Sequence, residues 1–132
     1  MFEAYKVTIL VMGLSGLTFL IQLLIADVIG LKKGHIPGDT IKPDHKDLHF
    51  RANRTILNTN ESVAIFILLI AFAMLSQANP EHLNMSSIVY FIGRLGHMVC
   101  YYLNLKLLRS ISFGVSLLGL VAIFGVGIVG WL

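Results

Sequence analysis

Arg51, Arg54, Asn58 and Glu61 follow one another at spacings of three, four and three, where a long apolar helix begins. At 100° per residue they share a wedge of about 80° on one helix face. Two guanidinium groups offer forked hydrogen bonds to carboxylates, the amide can fix a peptide group, and the carboxylate can meet an ammonium. This mixture suits a zwitterionic, mostly anionic ligand. Charge inside a bilayer is expensive and normally has a task. The plainer reading makes Arg51 and Arg54 interfacial arginines whose stems lie in the apolar layer while their heads reach water.

A second stripe is Tyr90, Arg94, His97 and Tyr101, at intervals of four, three and four. Counted back from Lys106, Arg94 lies about 18 Å deep and His97 about 14 Å, while Glu61 lies about 15 Å below Arg51. The matching depths predict a Glu61–Arg94 ion pair, which neutralises two charges that neither helix could carry alone. That pair reads either as a contact fixing helix register or as part of a ligand pocket or proton path. Arg109 and Ser110 open the last apolar segment, close in depth to Arg54 and Tyr101. They read as an interfacial anchor or as another wall of an anion pocket.

The elements that must position these groups are membrane helices. The chain has 132 residues, of which 13% are charged and 56% hydrophobic, with a mean hydropathy of +0.81. Soluble domains carry about 25% charged residues. Four stretches approach the roughly 20 residues a bilayer crossing needs. The expectation is therefore an all-α integral membrane protein, a single domain over 1–132 with transmembrane helices near 5–30, 51–77, 85–105 and 109–131. The first stretch is too long for a signal-peptide core and reads as a retained helix. Asn79-Pro80 marks the turn after the second helix, and Asn84 is a candidate cap for the third.

Basic residues set the expected orientation. Lys32, Lys33, Lys42, Lys46, Arg51 and Arg54 surround the first loop and Lys106 and Arg109 the last turn, whereas 77–87 holds no Lys or Arg. Both basic loops should face the cytoplasm and both termini the other side, across the inner membrane in a bacterium. The net charge of +3 reflects this bias and gives no reason to expect nucleic acid. His45 and His49 have a ligand-like spacing but no compelling third partner, so no metal is expected. Only His97 lies within a membrane segment, which argues against bis-histidine haem. Cys100, the single cysteine, reads as a small buried apolar residue.

Taken together these motifs resemble the MAPEG family, membrane-associated proteins in eicosanoid and glutathione metabolism. The family's helix-two pattern stands here as Arg51, Arg54, Asn58 and Glu61, its helix-three pattern as Arg94, His97 and Tyr101, and its Arg-Ser pair as Arg109-Ser110. The first loop's Gly38-Asp39 is similar to short prokaryotic members. The resemblance implies four-helix subunits assembled as a homotrimer, with glutathione as cosubstrate between neighbouring subunits. It implies Arg51, Arg54, Asn58, Glu61, His97 and Tyr101 as glutathione-binding residues and Arg109 and Ser110 as catalytic residues. The implied activity is that of a detoxifying transferase or peroxidase acting on lipophilic electrophiles that arrive through membrane lipid. The sequence departs from the family at Ile65, where many members have proline. Near the end of helix one, Asp27, Lys32 and Lys33 stand where some members place an arginine. Two other functions fit: a non-catalytic lipid-binding or scaffold member, and a small proton-coupled transporter with Glu61 as the titrating group.

Overall fold

A computed structural model describes residues 2–132. After a short 3-10 turn at Glu3–Tyr5, the chain forms α1 (Lys6–Lys32), α2 (Leu48–Leu75), α3 (Pro80–Tyr102) and α4 (Lys106–Trp131), with no strand among the described residues. Three of these are long and apolar enough to cross a membrane: Glu3–Lys32, Leu48–Leu75 and Lys106–Trp131. The 23-residue α3 is less apolar, because Arg94 and His97 interrupt it and Glu81, His82 and Asn84 crowd its first turns.

The helix limits follow from local chemistry. α2 starts three residues before the expected Arg51, because Asp47 caps it by accepting from the His49 N–H at 3.1 Å. α3 starts at Pro80 rather than near Met85. Asn79, not Asn84, is its cap, accepting from the His82 N–H at 3.1 Å, and Pro80 takes the first-turn position where a missing N–H costs nothing. α1, α2 and α3 all end in one way. A residue with positive φ follows the cap (Gly34, Gln77 and Asn104), and the next N–H reaches back to the third carbonyl from the helix end. These are Schellman closures: His35 N to Gly30 O at 3.0 Å, Ala78 N to Ala73 O at 3.0 Å and Leu105 N to Cys100 O at 2.8 Å. Glycine is the easy residue there; Gln77 and Asn104 adopt the conformation without it.

α3 and α4 form the closest helix pair. A Cβ on Gly119 would sit 2.6 Å from the Tyr90 backbone nitrogen, and one on Gly93 would overlap the Ser116 backbone. Small residues allow this approach where lipid supplies no hydrophobic drive between helices. Phe66, Ile70, Leu83 and Ile123 are fully buried at the centre, and the Phe66 and Tyr90 rings stack with centroids 4.2 Å apart. Outside, the surface is apolar: Leu10, Leu68, Leu118 and Val121 are among many exposed hydrophobic side chains.

The end of the bundle where α2 turns into α3 is closed by hydrogen bonds. Tyr5 donates its hydroxyl to the Ala78 carbonyl at 2.6 Å. Thr8 donates its N–H (3.0 Å) and hydroxyl (2.8 Å) to Asn84 Oδ1, and Asn84 Nδ2 donates to the Ala4 carbonyl at 3.0 Å. Asn84, expected as a cap, instead ties α3 to the start of α1.

Candidate functional site

The opposite end is organised by the first loop and the turn between α3 and α4. Lys33 pairs with Asp47, joining the end of α1 to the cap of α2. The Lys33 hydrogen bond, helped by the His49 N–H, holds the Asp47 carboxyl below its ordinary value. Arg51 donates to the His45 carbonyl at 2.7 Å and the Tyr102 carbonyl at 3.2 Å. It therefore clamps the loop to the end of α3. His45 and His49 diverge: His49, in the first turn of α2, packs its ring against His35, and His45 packs against Phe50 and Tyr101.

Between α2, α3 and α4 lies a pocket of about 240 Å³ lined by Arg54, Asn58, His97, Tyr101, Arg109, Ser110 and Phe113. Six of the eight residues singled out in the sequence thus share one cleft. The Arg109 guanidinium carbon sits 4.3 Å above the centre of the Tyr101 ring, a cation–π contact that fixes its direction. The buried Arg109 Nη1 has no hydrogen-bond partner, and neither has the buried His97 Nδ1. The His97 ring is held between Tyr101 and Phe113, with centroids at 5.4 and 6.0 Å. Buried polar atoms are rarely left without partners, so these two groups mark the cleft as a candidate site. Ser110 is exposed and donates its hydroxyl to the Lys106 carbonyl at 3.2 Å.

The expected Glu61–Arg94 ion pair does not form; the salt bridges among the described residues are Lys6–Glu3 and Lys33–Asp47. Arg94, 5% exposed, instead donates through Nη1 to Asn58 Oδ1 at 2.7 Å and through Nη2 to Thr59 Oγ1 at 2.9 Å. The reason is rotation. Thr59 faces the bundle interior, and Glu61, two residues on, is turned by about 200° and faces outward. Asn58 stands between the two charges, its Nδ2 reaching Glu61 Oε2 only at 3.5 Å. Glu61 and Arg51 are not brought to the pocket.

Thr59 and Phe113 are the contributors that the motif reading missed. Thr55, Thr59 and Ser62, at spacings of four and three, form a buried polar stripe on α2, and that periodicity was visible in the sequence. Nothing distinguishes Phe113 from the other aromatic residues of an apolar helix.

A helical bundle with an apolar exterior and a guanidinium-lined pocket at one end defines the class, a small helical membrane protein. The profile of the MAPEG family matches residues 7–129, and the chain belongs to that family. No curated protein and no solved structure matches it significantly. With its apolar helices, family membership makes it an integral membrane protein.

Proposed function

We propose that the protein is a glutathione-dependent membrane transferase, with peroxidase chemistry open to the same site, which activates the glutathione thiol for attack on a lipophilic electrophile. The observation that carries this reading is the convergence of Arg54, Asn58, His97, Tyr101 and Arg109 on one cleft where Arg109 Nη1 and His97 Nδ1 lack partners. Glutathione has two carboxylates, an ammonium and a thiol. Arg54 makes no hydrogen bond to the protein among the described residues and takes a carboxylate by its fork. Asn58 meets a carboxylate or peptide oxygen.

The protein supplies no nucleophile of its own here, so the sulfur comes from the ligand. A cysteine thiol has a pKa of about 8.5 and is mostly protonated at neutral pH. A guanidinium beside the sulfur in a water-poor cleft favours the thiolate. Arg109 takes this part. Ser110 supports it from the rim, since its one proton is engaged by Lys106 O. The thiol proton passes to water. The thiolate sulfur then bonds to the electrophilic carbon, and the leaving group departs with the electron pair of the broken bond. With a hydroperoxide, sulfur attacks oxygen, the O–O bond breaks, and a second glutathione completes the disulfide as alcohol and water are released.

In this reading all four helices cross the bilayer, α3 sheltered by its neighbours, with the basic loops on the cytoplasmic side. Three copies assemble, covering the outward-facing Glu61. The transporter alternative finds little support in that position, because Glu61 stands on the outside of the subunit rather than along an interior path. Calorimetric titration of detergent-purified protein with glutathione tests the proposal, with Arg54→Ala as control. Saturable binding lost in Arg54→Ala is expected; no heat from the parent protein rejects the reading.

A further inference from the structure

We infer that Arg94 is a positioning residue for the thiol ligand, acting through the Asn58 side chain to make that part of the pocket a hydrogen-bond donor. The inference rests on the ligand proposed above. Arg94 does not line the pocket; Asn58 does. A guanidinium carries donors only, so the Asn58 atom that meets Arg94 Nη1 at 2.7 Å has to be the oxygen. An unrestrained asparagine amide can turn over and exchange its oxygen for its nitrogen. This one cannot without setting two donors face to face. The second bond, from Arg94 Nη2 to Thr59 Oγ1 at 2.9 Å, holds the guanidinium plane against the same turn of α2 and keeps it from following the amide.

With its oxygen committed to Arg94, Asn58 turns Nδ2 the other way, toward the side on which Glu61 lies. Glu61 Oε2, at 3.5 Å, takes one amide hydrogen, and the other is left to the pocket that Asn58 lines, beside Arg54 and Arg109, which can only donate. The pocket is matched to a molecule that presents acceptor oxygens at this point, such as a carboxylate or a peptide carbonyl. A flipped amide would place its own oxygen against them. Arg94 thus sets specificity from behind the pocket wall, without touching the ligand. If it served only to tie α3 to α2, its loss would lower stability and leave the balance between binding and turnover unchanged.

Parent protein, Arg94→Gln, Arg94→Lys, Asn58→Ala and the double variant Arg94→Gln/Asn58→Ala separate these roles. Glutathione affinity is read by calorimetry, and turnover with an aryl halide at varied glutathione. Arg94→Gln is expected to raise Kd and KM for glutathione about tenfold, the equivalent of one lost charge-assisted contact, with kcat little changed. Arg94→Lys, which keeps a donor against Asn58 Oδ1, should recover most of the affinity. The double variant should bind no more weakly than Asn58→Ala, because Arg94 has no route to the ligand once the amide is gone. Losses that multiply in the double variant overturn the inference. Should Arg94→Gln fail to fold, Thr59→Val removes one fixing bond while keeping charge and packing; an affinity equal to that of the parent then overturns it.

A ligand-free measurement distinguishes this failure from failure of the proposed function. In 15N-asparagine-labelled protein, the Asn58 amide resonance, identified by its absence in Asn58→Ala, should shift or broaden in Arg94→Gln. An unmoved resonance overturns the inference even if the parent binds glutathione. A parent that binds no glutathione overturns the function and the ligand named here, while the resonance still decides whether Arg94 locks the amide.

Discussion

The two ends of the bundle use polar side chains in opposite ways. Where α2 turns into α3, the Tyr5 hydroxyl and the Thr8, Asn84 and Ser87 side chains all find partners within the chain. Where α3 turns into α4, Arg51 Nε, His97 Nδ1, Tyr102 Oη, Asn104 Oδ1 and Arg109 Nη1 are buried without one. Both ends are rich in polar groups, and polarity alone would not tell them apart. Satisfaction does: pairing fastens one end, whereas the other keeps unpaired polar atoms, two of them (His97 Nδ1 and Arg109 Nη1) on residues that line the cleft. Substitutions should accordingly cost stability at one end and chemistry at the other.

The largest effect is expected at the open end. Arg109→Ala should lower kcat for aryl-halide conjugation about 100- to 1000-fold, as loss of one preorganised charge-stabilising donor does. It should keep glutathione binding, lose the thiolate absorbance near about 240 nm that binding otherwise produces at neutral pH, and melt close to the parent. A variant that conjugates as fast as the parent removes the distinction between the ends. Gly119→Val tests the seam both ends share. With a Cβ 2.6 Å from Tyr90 N, backbone must move, and a loss at or above the top of the about 1–3 kcal/mol range for overpacking is expected in thermal unfolding. Asn84→Leu reports on the closed end alone. Losing its acceptor for Thr8 and its donor for Ala4 should cost about 1–3 kcal/mol, with glutathione affinity of the folded fraction unchanged. A drop in affinity would mean that the ends are coupled.

The smallest effect concerns the loop. The folded Asp47 carboxyl lies below its ordinary 3.8, so its contribution is present above that value. It is lost as pH falls below 3.8 and through the lower folded value. The pair lies at the surface, with Lys33 about half exposed, which limits the contribution to less than about 1 kcal/mol. Melting curves between about pH 2 and 6 should show a shallow acid loss in the parent that Asp47→Asn, which keeps the helix cap, lacks. Equal slopes would show that Lys33 and Asp47 contribute nothing measurable.

What was legible in the sequence is what lies along one helix. The spacing of Arg51, Arg54, Asn58 and Glu61, the stripe through His97 and Tyr101, the Arg109-Ser110 pair and the four apolar stretches are one-dimensional patterns, and they located the helices and most of the pocket lining. What escaped depends on how two helices are rotated against each other. Depth placed Glu61 level with Arg94, but only the facing of α2 decides that Arg94 meets Thr59 and Asn58 and that Glu61 turns outward. The Arg51 clamp escaped for a similar reason, because it depends on the path of the loop that brings the His45 carbonyl beside it. Helix limits were least legible at the start of α3, where Asn79 and Pro80 rather than Asn84 set the first turn, and less so where Gln77 and Asn104 took positions usually filled by glycine.

In the proposed trimer, the outward carboxylate of Glu61 makes the state of this protein a matter of surface density. It stands on a helix face shared with the exposed Leu57, Ile65 and Leu68. Insertion scales put a charged side chain such as Asp at the middle of a membrane helix at about 2.5–3.5 kcal/mol. Any neighbour that covers the group recovers part of that energy, once per subunit. The number of copies per unit area of bilayer therefore enters the stability of each one. Diluting the protein with lipid should loosen α2 before any other helix, much as dilution in water loosens an obligate oligomer.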